Sequence, residues 1–279
     1  QYCLNLTYIY LPSVINIHDY AFANCGGISS VELPNVEYTG DHAFEYCSNL
    51  YNFTAPNLLV LGNYVFRCNS KLTHLDASNV RYAGKAVFEN CQCLLEIYLP
   101  KLESCDPCFV QNISPFLKSY TLDSLKTFSE SFFENLISIE TINLPNAEII
   151  GKQCFMNCQF LKTVKLPNVT FIDDRGFYDC PLLQEVNFPK LKLMGDNVFE
   201  RCPSLSIITL EKLEKIGSSV FYFKYISKIS VPSLKIAGDD FMNYEERLFK
   251  FNDPLTFPNL EYIGNSGYQN YIEEKISLP

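Results

Sequence analysis

The chain has 279 residues, 47% of them hydrophobic, and a formal net charge of −9. That apolar content can fill a continuous core, and the acidic balance counts against nucleic acid, which needs a basic face. No apolar run reaches the ~18 residues of a membrane span, and no signal-peptide pattern is seen.

Length alone would allow two domains, but an internal period overrides it. Residue 1 falls in the middle of a unit: Cys3, Leu6, Ile9 and Leu11 are the second half of a pattern that closes at Pro12. The same closing position recurs at Pro34, Pro56, Ser78, Pro100, Asp123, Pro145, Pro167, Pro189, Glu211, Pro232, Pro258 and Pro279. The step is 22 residues nearly everywhere. Counting from this mark, a Gly stands at plus six, a Phe at plus ten and a Cys at plus thirteen, as in Gly40, Phe44, Cys47 and Gly195, Phe199, Cys202. Such a period predicts a solenoid, in which each coil touches only its neighbours. Residues 1–279 are expected to form a single array of about twelve coils, whose ends lack the usual polar caps, as in a piece of a longer protein.

Within a coil the spacing predicts a short strand before the mark. In Ser30-Val31-Glu32-Leu33 the apolar residues alternate with polar ones, so one face is buried. Proline ends the strand because it has no N–H for the ladder. Equivalent strands then lie side by side in a parallel sheet. The Gly at plus six suits a corner with positive φ. The segment that follows, such as 41–47, is too short for a regular α-helix and reads as a turn, a 3₁₀ piece or a second short strand.

The plus-ten column runs Phe22, Phe44, Phe66, Phe88, Val110, Phe133, Phe155, Phe177, Phe199, Phe221. Stacked rings account for the aromatic content without any cofactor. Seven of the twelve cysteines (Cys3, Cys25, Cys47, Cys91, Cys158, Cys180, Cys202) fall at plus thirteen. They read as buried thiols acting as small hydrophobes. Disulfides between coils are the alternative, since stacked positions lie ~5 Å apart. The rhythm breaks at 105–120, an irregular coil, and at 241–257, a loop insertion, and both are expected to bulge.

The recurring L-x-x-I-x-L-P-x-V-x-x-I-G-x-x-A-F-x-x-C-x-x-L, carried by Leu50, Phe53, Ala43-Phe44-Cys47 and Leu161-Val164-Leu166-Pro167, resembles the leucine-rich repeats of the BspA type. The resemblance covers essentially the whole chain. It implies a right-handed leucine-rich-repeat horseshoe with a parallel β-sheet on the concave face. Members occur in surface proteins of host-associated bacteria and parasitic protists, with adhesion as the role usually proposed. One departure matters: where the ordinary leucine-rich unit often carries Asn, this chain has Val36, Leu58, Val80, Ala147 and Val169, so no asparagine ladder is expected.

Chemistry is sparse. His18 and His42, near Asp19 and Asp41, read as a solvated pair, and His74 lies on the sheet side. A zinc site needs three or four converging ligands, so no metal is expected. Cys105-Asp106-Pro107-Cys108 lacks both a thioredoxin-like context and a second pair, which leaves an irregular coil or a local disulfide. No Ser/His/Asp set, P-loop or G-x-G-x-x-G is present, so neither an enzyme nor a cofactor is expected. The acids Asp173-Asp174 and Asp239-Asp240 read as solvated corners. Sequons stand at Asn5, Asn52, Asn112 and Asn168, a motif common by chance.

The expectation is therefore a non-enzymatic recognition or adhesion module, secreted or at a cell surface, binding a protein or glycan through the concave sheet. An intracellular scaffold or substrate-selecting repeat domain is the alternative. The candidate ligand-binding residues are Tyr8, Tyr10, Glu32, Tyr51, Thr54, His74, Asp76 and Tyr98. Tyrosine gives large contact area at low entropy cost, although its strand propensity alone would also place it there. The later coils offer Lys118, Lys162, Lys165 and Lys228 instead.

Overall fold

The computed structural model describes residues 3, 5–110, 113, 115–223, 227–244 and 257–265. They form a parallel β-solenoid of about eleven turns, with no helix among the described residues. Two compact units are distinguished, Gln1–Ile139 and Glu140–Pro279. The twelfth expected coil falls largely on residues outside the description, as does most of the expected insertion at 241–257.

Each coil contributes two strands, and in two coils of the second unit a further pair forms between Phe221–Phe223 and Met242–Tyr244. The first of the two lies just before the register mark and is three residues long. In the first unit Tyr8–Tyr10, Ser30–Glu32, Asn52–Thr54 and His74–Asp76 form one four-stranded parallel sheet. Glu96–Tyr98 pairs separately with Ser119–Thr121. In the second unit Thr141–Asn143, Thr163–Lys165, Glu185–Asn187, Ile207–Thr209 and Lys228–Ser230 form a five-stranded sheet. The middle residue points inward, so Ile9, Val31, Phe53, Ile142 and Val186 are buried while their neighbours are not.

The second strand is only two residues long, at plus four and plus five. It forms a second parallel ladder, Asn16–Ile17 through Ser104–Cys105 in the first unit. Ile149–Ile150 through Tyr262–Ile263 repeat it in the second. This ladder is not anticipated by the strand pattern, because two residues cannot display an alternation.

The rest of each coil is a turn ladder. The N–H groups of Tyr20, Phe22 and Asn24 donate to the carbonyls of Asp41, Ala43 and Glu45 in the next coil at 2.9, 2.8 and 2.8 Å. Those of Ala21, Ala23 and Cys25 donate back three residues, to His18, Tyr20 and Phe22. Alternation between coil-to-coil and local bonds requires left-handed backbone at plus eight and plus twelve. Positive φ is found there at Tyr20 (56°), Asn24 (59°), His42 (56°), Asn90 (60°), Asn157 (60°) and Asp179 (56°), among others. Asn and Asp tolerate that region best, which explains their recurrence just before the periodic Cys.

The glycines at plus six serve another purpose than the expected one, since no described Gly has positive φ. They stand where successive corners touch. A Cβ on Gly40 would lie 2.6 Å from the Asp19 nitrogen, and one on Gly62 would lie 2.6 Å from the Gly40 carbonyl carbon. Both are closer than real Cβ contacts.

The core follows the period. Phe44, Phe66, Phe88, Phe133, Phe155, Phe177, Phe199 and Phe221 are buried. Phe155, Phe177, Phe199 and Phe221 stack with centroids 4.9, 5.5 and 5.8 Å apart. Each ring contributes roughly 1.5–3 kcal/mol by burial. Apart from the exposed Cys3 the cysteine column is buried too, and no disulfide joins its members. The column has a polar reason as well as an apolar one. Cys47, Cys91, Cys180 and Cys202 donate Sγ–H to the carbonyls of Phe22, Phe66, Phe155 and Phe177 at 3.1–3.2 Å.

Two polar columns run along the coils against expectation. The residue after the mark forms an asparagine ladder: Asn35, Asn57, Asn79, Asn168 and Asn259 donate Nδ2–H to the carbonyls of Pro12, Pro34, Pro56, Pro145 and Pro232 at 2.6–2.8 Å. It lies one residue after the proline, not at the position where the ordinary repeat carries its Asn. At plus seven, Asp19, Asp41 and Asn63 accept the backbone N–H of Asp41, Asn63 and Lys85, each at 2.8 Å. Asp174, Asp196 and Asp239 do the same for Asp196, Ser218 and Asn265. Asp174 and Asp239 are thus structural acceptors as well as the partly or fully exposed acids that were expected.

The coil at 105–120 keeps the ladder further than expected. Ser104–Cys105 pairs with Tyr82–Ala83, and Ala86 and Phe88 donate to Pro107 and Phe109. Cys105 Sγ lies 3.6 Å from Ser129 Oγ. Gln111, Asn112 and Ser114 lie outside the described residues.

Candidate functional site

Strand alternation turns every first and third residue of the first strand set toward solvent. Register then stacks them in two rows. One is Tyr8, Ser30, Asn52, His74; the other is Tyr10, Glu32, Thr54, Asp76. Six of the eight expected residues (Tyr8, Tyr10, Glu32, Thr54, His74, Asp76) therefore share one sheet face. Tyr51 stands just before its strand, half exposed at 50%, and its carbonyl accepts the N–H groups of Thr73 and His74. Tyr98 lies in the separately paired strand Glu96–Tyr98, opposite Thr121. The sheet bonding breaks between His74–Asp76 and Glu96–Tyr98.

The face combines exposed tyrosines with carboxylates. Tyr8, Tyr10 and Tyr98 are 49%, 54% and 47% exposed. Partial desolvation, a hydrogen bond with Glu32 and the Glu32 charge push the Tyr8 phenol above its ordinary range. His74 is oriented by Thr73, with Nδ1 2.8 Å from Oγ1. Asn52 Nδ2 reaches Ser30 Oγ at 3.3 Å. Glu32, Asp76 and Glu96 supply carboxylates along the same face.

A second polar cluster lies on the turn ladder. The His42 ring stacks between Tyr20 and Tyr64, with centroids 4.6 and 4.9 Å away. Its Nδ1 lies 2.8 Å from Glu45, a carboxylate with only 9% of its side chain exposed. Arg67 Nη1 meets Glu45 at 3.2 Å, and Arg67 Nε lies 3.0 Å from Glu89. His18 is exposed as expected, while His42 is therefore a packed structural residue where a solvated one was expected. The signal for it is the run Tyr20, His42, Tyr64 at plus eight. The stacked rings hide their faces from solvent, so this column braces the coils. Among the described residues no group of three or more His, Cys, Asp and Glu is placed to hold a metal.

A sequence model of the BspA type leucine-rich repeat region matches residues 1–114 and 126–248 in six copies. The chain belongs to the BspA-type leucine-rich repeat family. Among solved structures, this BspA-type chain is similar to a leucine-rich repeat protein from Bacteroides ovatus. The two are 20% identical, with 96% of this chain and 85% of that one covered and a TM-score of 0.67. That likeness establishes the shared fold. A leucine-rich cell surface protein from Faecalibacterium prausnitzii matches at 20% identity, covering 94% of this chain and 70% of that one, with a TM-score of 0.39. A leucine-rich repeat protein from Eubacterium ventriosum matches at 18%, covering 88% and 85%, with a TM-score of 0.46. No curated protein matches the chain. Among the described residues, no helix of this BspA-type protein is long and apolar enough to cross a membrane.

Proposed function

We propose that the chain is a non-enzymatic recognition module, displayed outside a cell, whose partner lies across the outward face of the first strand set between Tyr8 and Tyr98. The observation that carries the reading is the in-register stacking of exposed Tyr8 and Tyr10 with Glu32 and Asp76 on the four-stranded sheet, with Tyr98 and Glu96 on the separately paired strand of the next coil. Four coils separate Tyr10 from Tyr98, roughly 19 Å at strand spacing, which suits a protein loop, a peptide or a glycan. Family membership supports recognition and surface display, because repeat solenoids commonly bind through such faces. Glu32, Asp76 and Glu96 favour a partner that presents Lys or Arg, so a protein fits this face better than a sugar.

The test is a binding screen against immobilised extracellular-matrix proteins and a glycan array, followed by Tyr10→Ala and Tyr98→Ala on any hit. Each change is expected to weaken binding at least about tenfold, roughly 1.4 kcal/mol. Lys215→Ala, on the second strand set, should leave this binding unchanged. Phe223, a second control position, has its side chain outside the described residues. If both tyrosine variants bind as the wild type does, this face is not the site. Residence of the native protein in the cytosol would sink the surface reading and favour the scaffold.

A further inference from the structure

The second unit carries a groove of opposite character on another side of the coil. Its walls come from the stretches between the register mark and the second strand, whose register is fixed by the pairs Leu193↔Lys215, Lys215↔Ile236 and Ile236↔Tyr262. Buried Leu191, Leu213, Leu234 and Leu260 anchor these stretches from below. Stacking then brings Lys192, Glu214 and Lys235 into one column and Lys212, Ser233 and Asn259 into the next. Those six residues line an open groove of about 310 Å³.

The groove is cationic within an acidic chain. It holds three lysines against one carboxylate, while the chain as a whole carries −9. Lys235 is only loosely held, with Nζ 3.5 Å from Glu214 and half of each side chain exposed. Lys192 and Lys212 have no carboxylate partner among the described residues. Lysine ammoniums are mobile point charges that match an anion by charge and impose no fixed geometry.

The two polar neighbours decide what kind of anion fits. Ser233 Oγ already donates to the Glu211 carbonyl at 2.7 Å, and Asn259 Nδ2 to that of Pro232 at 2.8 Å. The Ser233 hydroxyl proton and one of the two Asn259 amide N–H groups are thus spent on the ladder, while Ser233 Oγ and Asn259 Oδ1 face the groove as acceptors. At two other positions of this column that oxygen is occupied: Lys101 caps Asn79 Oδ1 and Lys190 caps Asn168 Oδ1, at 2.7 and 2.6 Å. No described residue caps Asn259 Oδ1. A ligand that fills this groove brings both an anionic group for the lysines and hydroxyl donors for Ser233 and Asn259. Sulfate brings no hydroxyl and hydrogen phosphate only one or two on the anionic group itself, and no aromatic lines the groove to stack a nucleobase.

We propose that this groove binds an acidic saccharide, with the carboxylate or sulfate on Lys192, Lys212 and Lys235 and neighbouring hydroxyls on Ser233 and Asn259. The volume accommodates one or two sugar units.

Calorimetric titration of the intact chain tests it, in low and moderate salt. Four probes are used: a heparin-derived oligosaccharide, a polygalacturonate oligosaccharide, neutral dextran fragments, and oligothymidylate of matched charge. Binding of the sulfated or the carboxylated saccharide is expected, each arm identifying the anionic group preferred, with dextran silent and oligothymidylate at least tenfold weaker. The triple variant Lys192→Gln/Lys212→Gln/Lys235→Gln should lose at least tenfold. The charge-matched control Lys162→Gln/Lys165→Gln/Lys228→Gln, on the first strand set, should keep wild-type affinity. All substituted side chains are exposed, so circular dichroism is expected to stay unchanged. Silence of both acidic saccharides in low salt overturns the proposal. So does equal loss in the two triple variants, which would reveal net charge alone, or equal affinity for oligothymidylate.

Discussion

Asn69 occupies the cysteine column and does not fit it. The side chain is completely buried, and neither Nδ2 nor Oδ1 has a hydrogen-bond partner. In the coils on either side, Cys47 and Cys91 donate Sγ–H to the carbonyls of Phe22 and Phe66 at 3.1 Å. The equivalent carbonyl for position 69 is that of Phe44. A buried amide without partners costs roughly 1–3 kcal/mol. Asn69→Cys removes that cost and restores the weak thiol bond in a site already shaped for sulfur. The expected gain is therefore about 2 kcal/mol, a urea midpoint shift on the order of 1 M. Denaturation followed by far-UV circular dichroism under reducing conditions reads it. Asn69→Ala separates the two contributions, because it discards the amide without supplying a thiol and so should gain less. Cys91→Asn should lose a similar amount. A lower midpoint for Asn69→Cys than for the wild type would refute the reasoning, and would mean that the amide is satisfied in solution.

Phe155→Ala is expected to cost about 3–5 kcal/mol, since it opens a cavity in the ring stack beside Phe177. Tyr98→Ala, at a residue 47% exposed, should cost under about 1 kcal/mol in the same denaturation series; equal losses would mean the coil register is wrong. Thiol labelling should be graded by burial. Cys3 is exposed and should react with maleimide first, whereas burial pushes the Cys47 thiol up to about 12, so native Cys47 stays thiol and unlabelled even at about pH 9. After denaturation without reductant most of the twelve should label, and few free thiols at that point would show bridging between coils.

What could be read from the sequence is what repeats along it. Proline, Phe and Cys recur at fixed offsets, and each offset has a single-residue cause: chain termination, ring packing, a small buried sulfur. The exposed face between Tyr8 and Tyr98 was equally legible, because strand alternation alone assigns it. The polar columns were not read, although their residues also recur. Asn after Pro looks like a turn residue, and Asp after Gly like a solvated corner. Their partners, the carbonyl of Pro34 for Asn57 or the N–H of Asn63 for Asp41, are a coil away and carry no residue signature. The left-handed positions escape for the same reason. Tyr20, His42, Ala86 and Arg175 share a conformation and no chemistry, since the bond to the next coil offsets the backbone cost. The lysine groove draws on four coils at once, so no stretch of sequence displays it.

These hidden columns answer a problem that the visible ones leave open. A core of near-identical Phe rings in every coil is a poor judge of register, because a coil shifted along its own path still finds apolar partners. Directional groups are better judges. If a coil slips by one residue, Asn57 loses the Pro34 carbonyl and Asp41 loses the Asn63 N–H together, and each orphaned group costs of order 1 kcal/mol or more. The glycines enforce the same alignment from the other side, since the corners stack only where no Cβ intervenes. Hydrophobic periodicity thus drives the chain to coil, while the Asn, Asp and Gly columns decide how each coil sits on the last. Both the tyrosine face and the lysine groove depend on that second decision, being built from residues that meet only when successive coils are in step.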